Sequence, residues 1–311
     1  MPTKVTKADR DFYIPHPKYA AKDGAFSGIT HAMSTLATVL IVSALFPTVF
    51  AYAYNLPAVL SLSDNVDVQR VPIAMALLCI VCTVGSCMLP DLDNTKSKAE
   101  SSLGVFGSIA SGVFRASASF IQSTFKTKYD AKSPDPHRGF WHTAMGALVL
   151  AAPFYLVGSN ADNKNGVFDF FNIIVLVTVF ILSYLAFCTV FGDAVKKKSR
   201  KNALFGLAPY IFGGVVVFLI YTINGSDLFD YAFPIAASIF WGMMLHTFGD
   251  CHTKAGAPIF APFTVFFKGK VWWTTRFFSI ESGGEFEKDV LLKLYTVAAI
   301  VGAVALTFVY L

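Results

Sequence analysis

FFNIIVLVTVFILSYLAFCTVFG, residues 170–192, contains no charged side chain and is followed closely by Lys196-Lys197-Lys198-Ser199-Arg200-Lys201. A helix needs about 20 apolar residues to cross the hydrocarbon core of a bilayer. The stretch therefore reads as a membrane span. The basic run reads as its anchor among the lipid headgroups rather than as a nucleic-acid patch.

Composition points the same way. Of 311 residues, 55% are hydrophobic and 14% charged, against about 25% charged in a soluble domain. The 31 phenylalanines cannot all enter one soluble core of this size without leaving large apolar patches outside. A soluble enzyme, a disordered chain and a disulfide scaffold are thereby excluded. Further apolar blocks lie near 29–54, 71–89, 143–158, 203–223, 231–249 and 291–311. Together with 170–192 they predict an all-α fold, a polytopic transmembrane helical bundle of about seven spans. Pro47 should kink the first span. Residues 29–311 read as a single transmembrane domain behind a cytoplasmic N-terminal segment, 1–28. That segment is mixed in charge and too long for the n-region of a secretory signal peptide.

Lysine and arginine set the expected orientation. With the N-terminus in the cytoplasm, every one of the 25 basic residues except Arg70 and Lys164 falls inside, counting Lys293 at the start of the last span. This is the positive-inside pattern of a multi-pass protein of the inner (plasma) membrane. The outer loops carry Asp64, Asp67, Asp162, Asp169, Asp227 and Asp230 instead.

Residues 95–133 form an insertion between the second and third spans. Phe106, Ile109, Ala110, Val113, Phe120 and Ile121 follow near-helical spacing, and Ser108, Ser111, Arg115, Gln122 and Lys126 fill the other face. The pattern predicts a weak amphipathic helix lying in the membrane interface. Gly104, Gly107 and Gly112 erode helix propensity, so a flexible loop competes with it. The five cysteines sit within spans or on the cytoplasmic side, where thiols stay reduced and structural disulfides are not expected. Cys79 and Cys82, spaced C-x-x-C in an apolar helix, read as packed small side chains.

The histidines carry the functional signal. His31 opens the first span, and Asp91 and Asp93 follow the second in Leu89-Pro90-Asp91-Leu92-Asp93. His137 and His142 precede the third, while His246 and Asp250 close the sixth with His252 two residues on. Under the expected topology all of these lie at the cytoplasmic ends of their helices. Ionisable residues at membrane depth are costly and usually functional. His246 and Asp250, four apart, share a helix face. His137 and His142, five apart, cannot share one, and Pro134 and Pro136 suit a loop around His137 with His142 on the first helical turn.

His31, Asp91, Asp93, His142, His246 and Asp250 are the expected metal ligands. Imidazole and carboxylate without thiolate suit a divalent transition metal, zinc or manganese first, and argue against calcium or an iron–sulfur cluster. The set exceeds what one ion needs. Either two ions or carboxylates that orient the histidines would use the surplus.

The order Gly28-x-Thr30-His31, Leu89-Pro90-Asp91-x-Asp93, His137-Arg138-Gly139-x-x-His142 and His246-x-x-x-Asp250, then Gly256-x-Pro258 and Glu285-Phe286-Glu287, resembles a known family. That family is the bacterial membrane-bound metal-dependent hydrolases, also described as LexA-regulated inner-membrane proteins. The likeness runs from about Gly28 to Glu287 and implies a helical inner-membrane protein with hydrolase activity. The family pattern has a histidine directly after the second aspartate, where this chain has Asn94.

The reaction expected is metal-assisted hydrolysis, in which an ion acidifies water and polarises the bond under attack. His137 is a ligand or the general base. Arg138 is a bidentate clamp for phosphate or carboxylate, or else a headgroup anchor. Glu287, like Glu285, is an acid/base candidate or an orienting carboxylate in a polar turn. An inner-leaflet site beside Phe263, Phe266, Phe267, Trp272, Trp273, Phe277 and Phe278 favours an amphiphilic substrate, a lipid-linked phosphoester ahead of an amide. Membrane lipids are the expected partners, and no nucleic acid is. Two other classes compete: a metal-ion or proton-coupled transporter, whose site would lie near the midplane, and a non-catalytic scaffold with a degenerate metal site.

Overall fold

A computed structural model of the chain describes residues 28–54, 73–94, 97–126, 139–159, 168–199, 203–224, 228, 231–253, 256–262, 275, 277, 280 and 284–310. Among them there are nine α-helices and no strand. They are α1 (Gly28–Leu45), α2 (Pro47–Ala53), α3 (Ile73–Ser86), α4 (Lys98–Phe125), α5 (Ala144–Ser159), α6 (Phe168–Ser199), α7 (Ala208–Asn224), α8 (Ala232–Cys251) and α9 (Leu292–Tyr310). Short 3₁₀ turns at Pro90–Asp93 and Phe140–His142 follow α3 and precede α5, and a π-helical turn, Phe286–Leu291, leads into α9. The all-α expectation holds, and the segment expected to be a weak helix, with a flexible loop as the competing reading, forms α4 over Lys98–Phe125.

Pro47 acts as expected. The α1 helix ends at Leu45, and Pro47 opens α2 as its first residue, where a missing N–H costs nothing. Buried helices α3 and α8 form the centre, with α1, α5 and α6 packed around them and α7 and α9 outside. Two glycines fix how closely the central helices meet. A Cβ on Gly85 would lie 2.0 Å from the Leu182 carbonyl oxygen of α6, and one on Gly242 would lie 2.4 Å from the Thr83 carbonyl oxygen of α3. Small residues at such crossings let membrane helices touch backbone to backbone. Because Gly242, His246 and Asp250 recur every four residues, one face of α8 carries both the contact and the functional side chains.

Among the described residues, seven helical segments are long and apolar enough to cross a membrane, Gly28–Leu45, Met75–Asp93, Lys98–Phe125, Phe170–Gly192, Phe205–Thr222, Ala232–Cys251 and Phe286–Phe308. Six of the seven coincide with expected spans, and Lys98–Phe125 is the addition. The expected third span is the 16-residue α5, which includes Pro153. At 1.5 Å per residue it covers about 24 Å, short of a hydrocarbon core of about 30 Å. It nevertheless runs the length of α8, with His142 before it beside His246 and its Tyr155 against Phe233 near the start of α8. The 28 residues of α4 include a kink at Gly104, where φ is 59°, and its Phe114 carbonyl meets the Trp141 indole, at the same end as His142.

The faces of α4 also differ from the expected pair. Gly107, Ser111, Ala118 and Gln122 are buried against the bundle, so two residues assigned to the polar outer face turn inward. Phe106, Ile109, Val113 and Phe120 point out and are 62–80% exposed. Small side chains allow close approach, while apolar ones lose nothing by facing lipid. Ser97 caps the helix by accepting the Glu100 N–H at 3.0 Å, and the sequence Ser97-x-x-Glu100 is the matching start signal. Two tethers hold α4 across the bundle. The Tyr184 hydroxyl donates to the Ser102 carbonyl at 2.7 Å, and the Trp141 indole donates to the Phe114 carbonyl at 2.9 Å.

Replacing Gly242 by Leu is expected to destabilise the detergent-solubilised protein by about 2 kcal/mol or more, since the added side chain must displace backbone. Gly112→Ala, where a Cβ meets nothing within 4 Å, should leave stability unchanged or raise it by up to about 1 kcal/mol. Thermal unfolding of the two variants beside the parent protein checks both.

Candidate metal centre

The site is assembled from four helix ends. His31 lies in the first turn of α1, Asp91 and Asp93 in the turn after α3, His142 in the turn before α5, and His246 and Asp250 in the last turns of α8. All six side chains are buried. Local chemistry explains how each is held. After Pro90, the chain continues as a single 3₁₀ turn closed by the Asn94 N–H on the Asp91 carbonyl at 3.0 Å. With three residues per turn, Asp91 and Asp93 point in directions about 120° apart.

His142 is gripped on both sides of its backbone. Its N–H donates to Gly139, and the next residue but one, Ala144, donates to the Ile259 carbonyl at 2.9 Å. Thr143 caps α5, its hydroxyl accepting the Gly146 N–H at 2.9 Å. At the end of α8, the Thr253 N–H and hydroxyl both donate to the Asp250 carbonyl, at 2.9 and 2.7 Å. Contrary to the expectation of a first helical turn, His142 sits in the 3₁₀ turn that leads into α5.

These placements bring the side chains face to face. His142 Nε2 is 4.0 Å from Asp91 Oδ1 and 3.5 Å from Asp250 Oδ2. His246 Nε2 is 3.6 Å from each of the same two oxygens. Four donors arranged tetrahedrally at about 2.1 Å from one cation lie about 3.4 Å from one another. The observed spacings of 3.5–4.0 Å come near that value, so donors here would close on a cation by moving up to about 0.6 Å. Buried His, Asp and Asp/His combinations here could hold a metal ion in two overlapping sets, His31–His246–Asp250 and Asp91–His142–His246.

Asp93 takes a different position from Asp91. Its Oδ2 lies 3.6 Å from His142 Nδ1, the nitrogen that faces away from the cage. The D-x-D pair thus brackets a single imidazole, one carboxylate on each nitrogen. A carboxylate on the outer nitrogen fixes the ring and its tautomer and makes the inner nitrogen a better donor. His31 completes the group, with Nε2 3.3 Å from Asp250 Oδ1 and its ring stacked on His246 at a centroid distance of 3.9 Å.

Glu287 lies in the π-helical turn before α9 and is fully buried, rather than solvated as its polar surroundings suggest. Its Oε1 accepts the Thr30 hydroxyl at 2.6 Å, which ties the last helix to the residue beside His31. Glu285 is exposed. His252 stands apart from the cluster, its Nδ1 2.6 Å from the Phe248 carbonyl. His137 and Arg138 lie outside the described residues, as do Phe263, Phe266, Phe267, Trp272, Trp273 and Phe278 of the aromatic segment. Sequence reasoning passed over Trp141 and Thr143, which secure the turn carrying His142. Their only signal was their place between or beside the motif histidines.

The fold and site together define a multi-pass helical membrane protein with a buried imidazole–carboxylate centre at the helix ends. The sequence pattern of the YdjM inner membrane protein family matches residues 26–311, and the chain belongs to that bacterial inner-membrane family. The match covers the whole stretch over which the motif resemblance was read. No curated protein and no solved structure matches the chain.

The geometry separates two aspartates that look alike in sequence. Asp91→Asn is expected to abolish tight zinc or manganese binding, whereas Asp93→Asn should weaken it about 10–100-fold while leaving the site able to fill. Competition titration against a chelator of known affinity, run on both purified variants, measures the difference.

Proposed function

We propose that this protein is a membrane-embedded, metal-dependent hydrolase that cleaves a phosphoester in an amphiphilic, lipid-linked substrate. The observation that supports this most is the pair of overlapping buried donor sets, His31–His246–Asp250 and Asp91–His142–His246. Its imidazole and carboxylate donors suit zinc or manganese. When bound, such an ion acidifies water and polarises the ester bond. Asp93 holds His142 in the orientation that presents Nε2 to the cage. Arg138, two residues before the turn that carries His142, is placed in sequence to clamp a phosphate bidentately. His137 is the candidate base, and Glu287 a carboxylate that positions the His31 end of the site through Thr30.

Helix ends, rather than helix middles, carry the site, which favours chemistry at a leaflet over transport across the bilayer. An N-terminus in the cytoplasm, supported by the distribution of Lys and Arg, would open the site on the inner leaflet and so to lipid-linked precursors there. Reporter fusions at residue 1 and in the 160–167 loop should give opposite signals, cytoplasmic for the first.

The deciding assay measures phosphate release from lipid-linked phosphoesters by protein stripped of metal and then reloaded with zinc or manganese. Activity should return with metal and fall at least about 100-fold in His246→Ala. Equal metal content in the parent, His246→Ala and Asp91→Ala proteins would end the hydrolase reading.

A further inference from the structure

The cluster contains more donors than one cation uses, and their arrangement is that of a pair. Asp250 faces two ways. Its Oδ1 lies 3.3 Å from His31 Nε2, while Oδ2 lies 3.5 Å from His142 Nε2 and 3.6 Å from His246 Nε2. A carboxylate whose two oxygens are turned toward different imidazoles is placed to bridge two metal ions, one on each oxygen. The His31 and His246 rings are stacked 3.9 Å apart and only 22° from parallel. Two-metal hydrolytic centres hold their ions about 3.5–4 Å apart, so parallel imidazoles at this separation can each address one ion of such a pair.

Charge points the same way. Asp91, Asp93 and Asp250 are buried together in the cluster, and divalent cations are the natural complement to their charge. Among the described residues no lysine or arginine is buried. In a bundle of this kind, charge of one sign is expensive to gather without its complement.

We propose that the centre binds two divalent transition-metal ions bridged by Asp250. One ion is held by Asp91, His142 and Asp250 Oδ2, the other by His31 and Asp250 Oδ1, and His246 lies within reach of both. The first ion has the fuller set of protein donors. The second keeps open positions, which is where the phosphate of a substrate would bind. This arrangement rests on the metal-dependent reading above and adds to it the number of ions and the role of each histidine.

The test counts metal per chain by elemental analysis of the full-length protein, purified in detergent and loaded with zinc or manganese. The parent protein should carry about two ions, His31→Ala and His142→Ala about one each, and Asp250→Asn almost none. Manganese-loaded parent protein should also give an exchange-coupled paramagnetic resonance spectrum, a readout that needs no variant to fold. One ion in the parent protein, or two retained in His31→Ala, would overturn the pair and leave a single-metal hydrolase standing. No ion at all would overturn both readings. A manganese spectrum of isolated ions at a stoichiometry of two would overturn the Asp250 bridge.

Discussion

Three imidazoles and three carboxylates pressed together inside a membrane bundle are the constraint to which the rest of the structure answers. Each such group is costly to hold away from water, and a lone carboxylate in hydrocarbon costs several kcal/mol or more. The cost is tolerable only if the groups face one another, which requires four helix ends to meet within a few ångströms. The glycine contacts at Gly85 and Gly242 serve that requirement. They draw α3, α6 and α8 together about two turns before Asp91, and the same face of α8 then presents His246 and Asp250.

Turn chemistry does what the helices alone cannot. A regular α-helix would place Asp91 and Asp93 about 200° apart, with one of them facing lipid or a neighbouring backbone. The 3₁₀ turn after Pro90 instead sets them on either nitrogen of one ring. On the opposite side, Trp141 reaches out to α4 and Thr143 caps α5, so His142 is fixed from both neighbours. Rigid support of this kind is what a metal site needs, because ligand geometry must be set before the ion arrives.

The outside of the molecule follows the opposite logic. Helices α4, α7 and α9 expose Phe, Val, Ile and Leu over most of their length, which in water would be a liability and in a bilayer is the favourable arrangement. In α4, Gly107, Ser111, Ala118 and Gln122 lie inside with Ala110, Phe114 and Ile121 packed beside them, while Phe106, Ile109, Val113 and Phe120 face outside. A helix in a membrane gains nothing from hiding apolar side chains, so its buried face is chosen for closeness and hydrogen bonding instead.

Much of this was legible in the chain itself. Uncharged apolar stretches such as 170–192 determine membrane helices because no other structure satisfies backbone hydrogen bonds in hydrocarbon, and Pro47 determines a break because it has no N–H to give. The motifs around His31, Asp91, His142, His246 and Asp250 pointed to side chains that the structure brings together, since ionisable residues at helix ends in so apolar a chain are costly unless they meet. Which nitrogen faces which carboxylate was beyond the sequence. Asp91 and Asp93 are the same residue type two positions apart, and only the packing of α3 against α8 and the α5 turn assigns them different partners. The burial of Glu287 likewise depends on α9 lying along α1, a contact between residues 257 positions apart that no local pattern encodes.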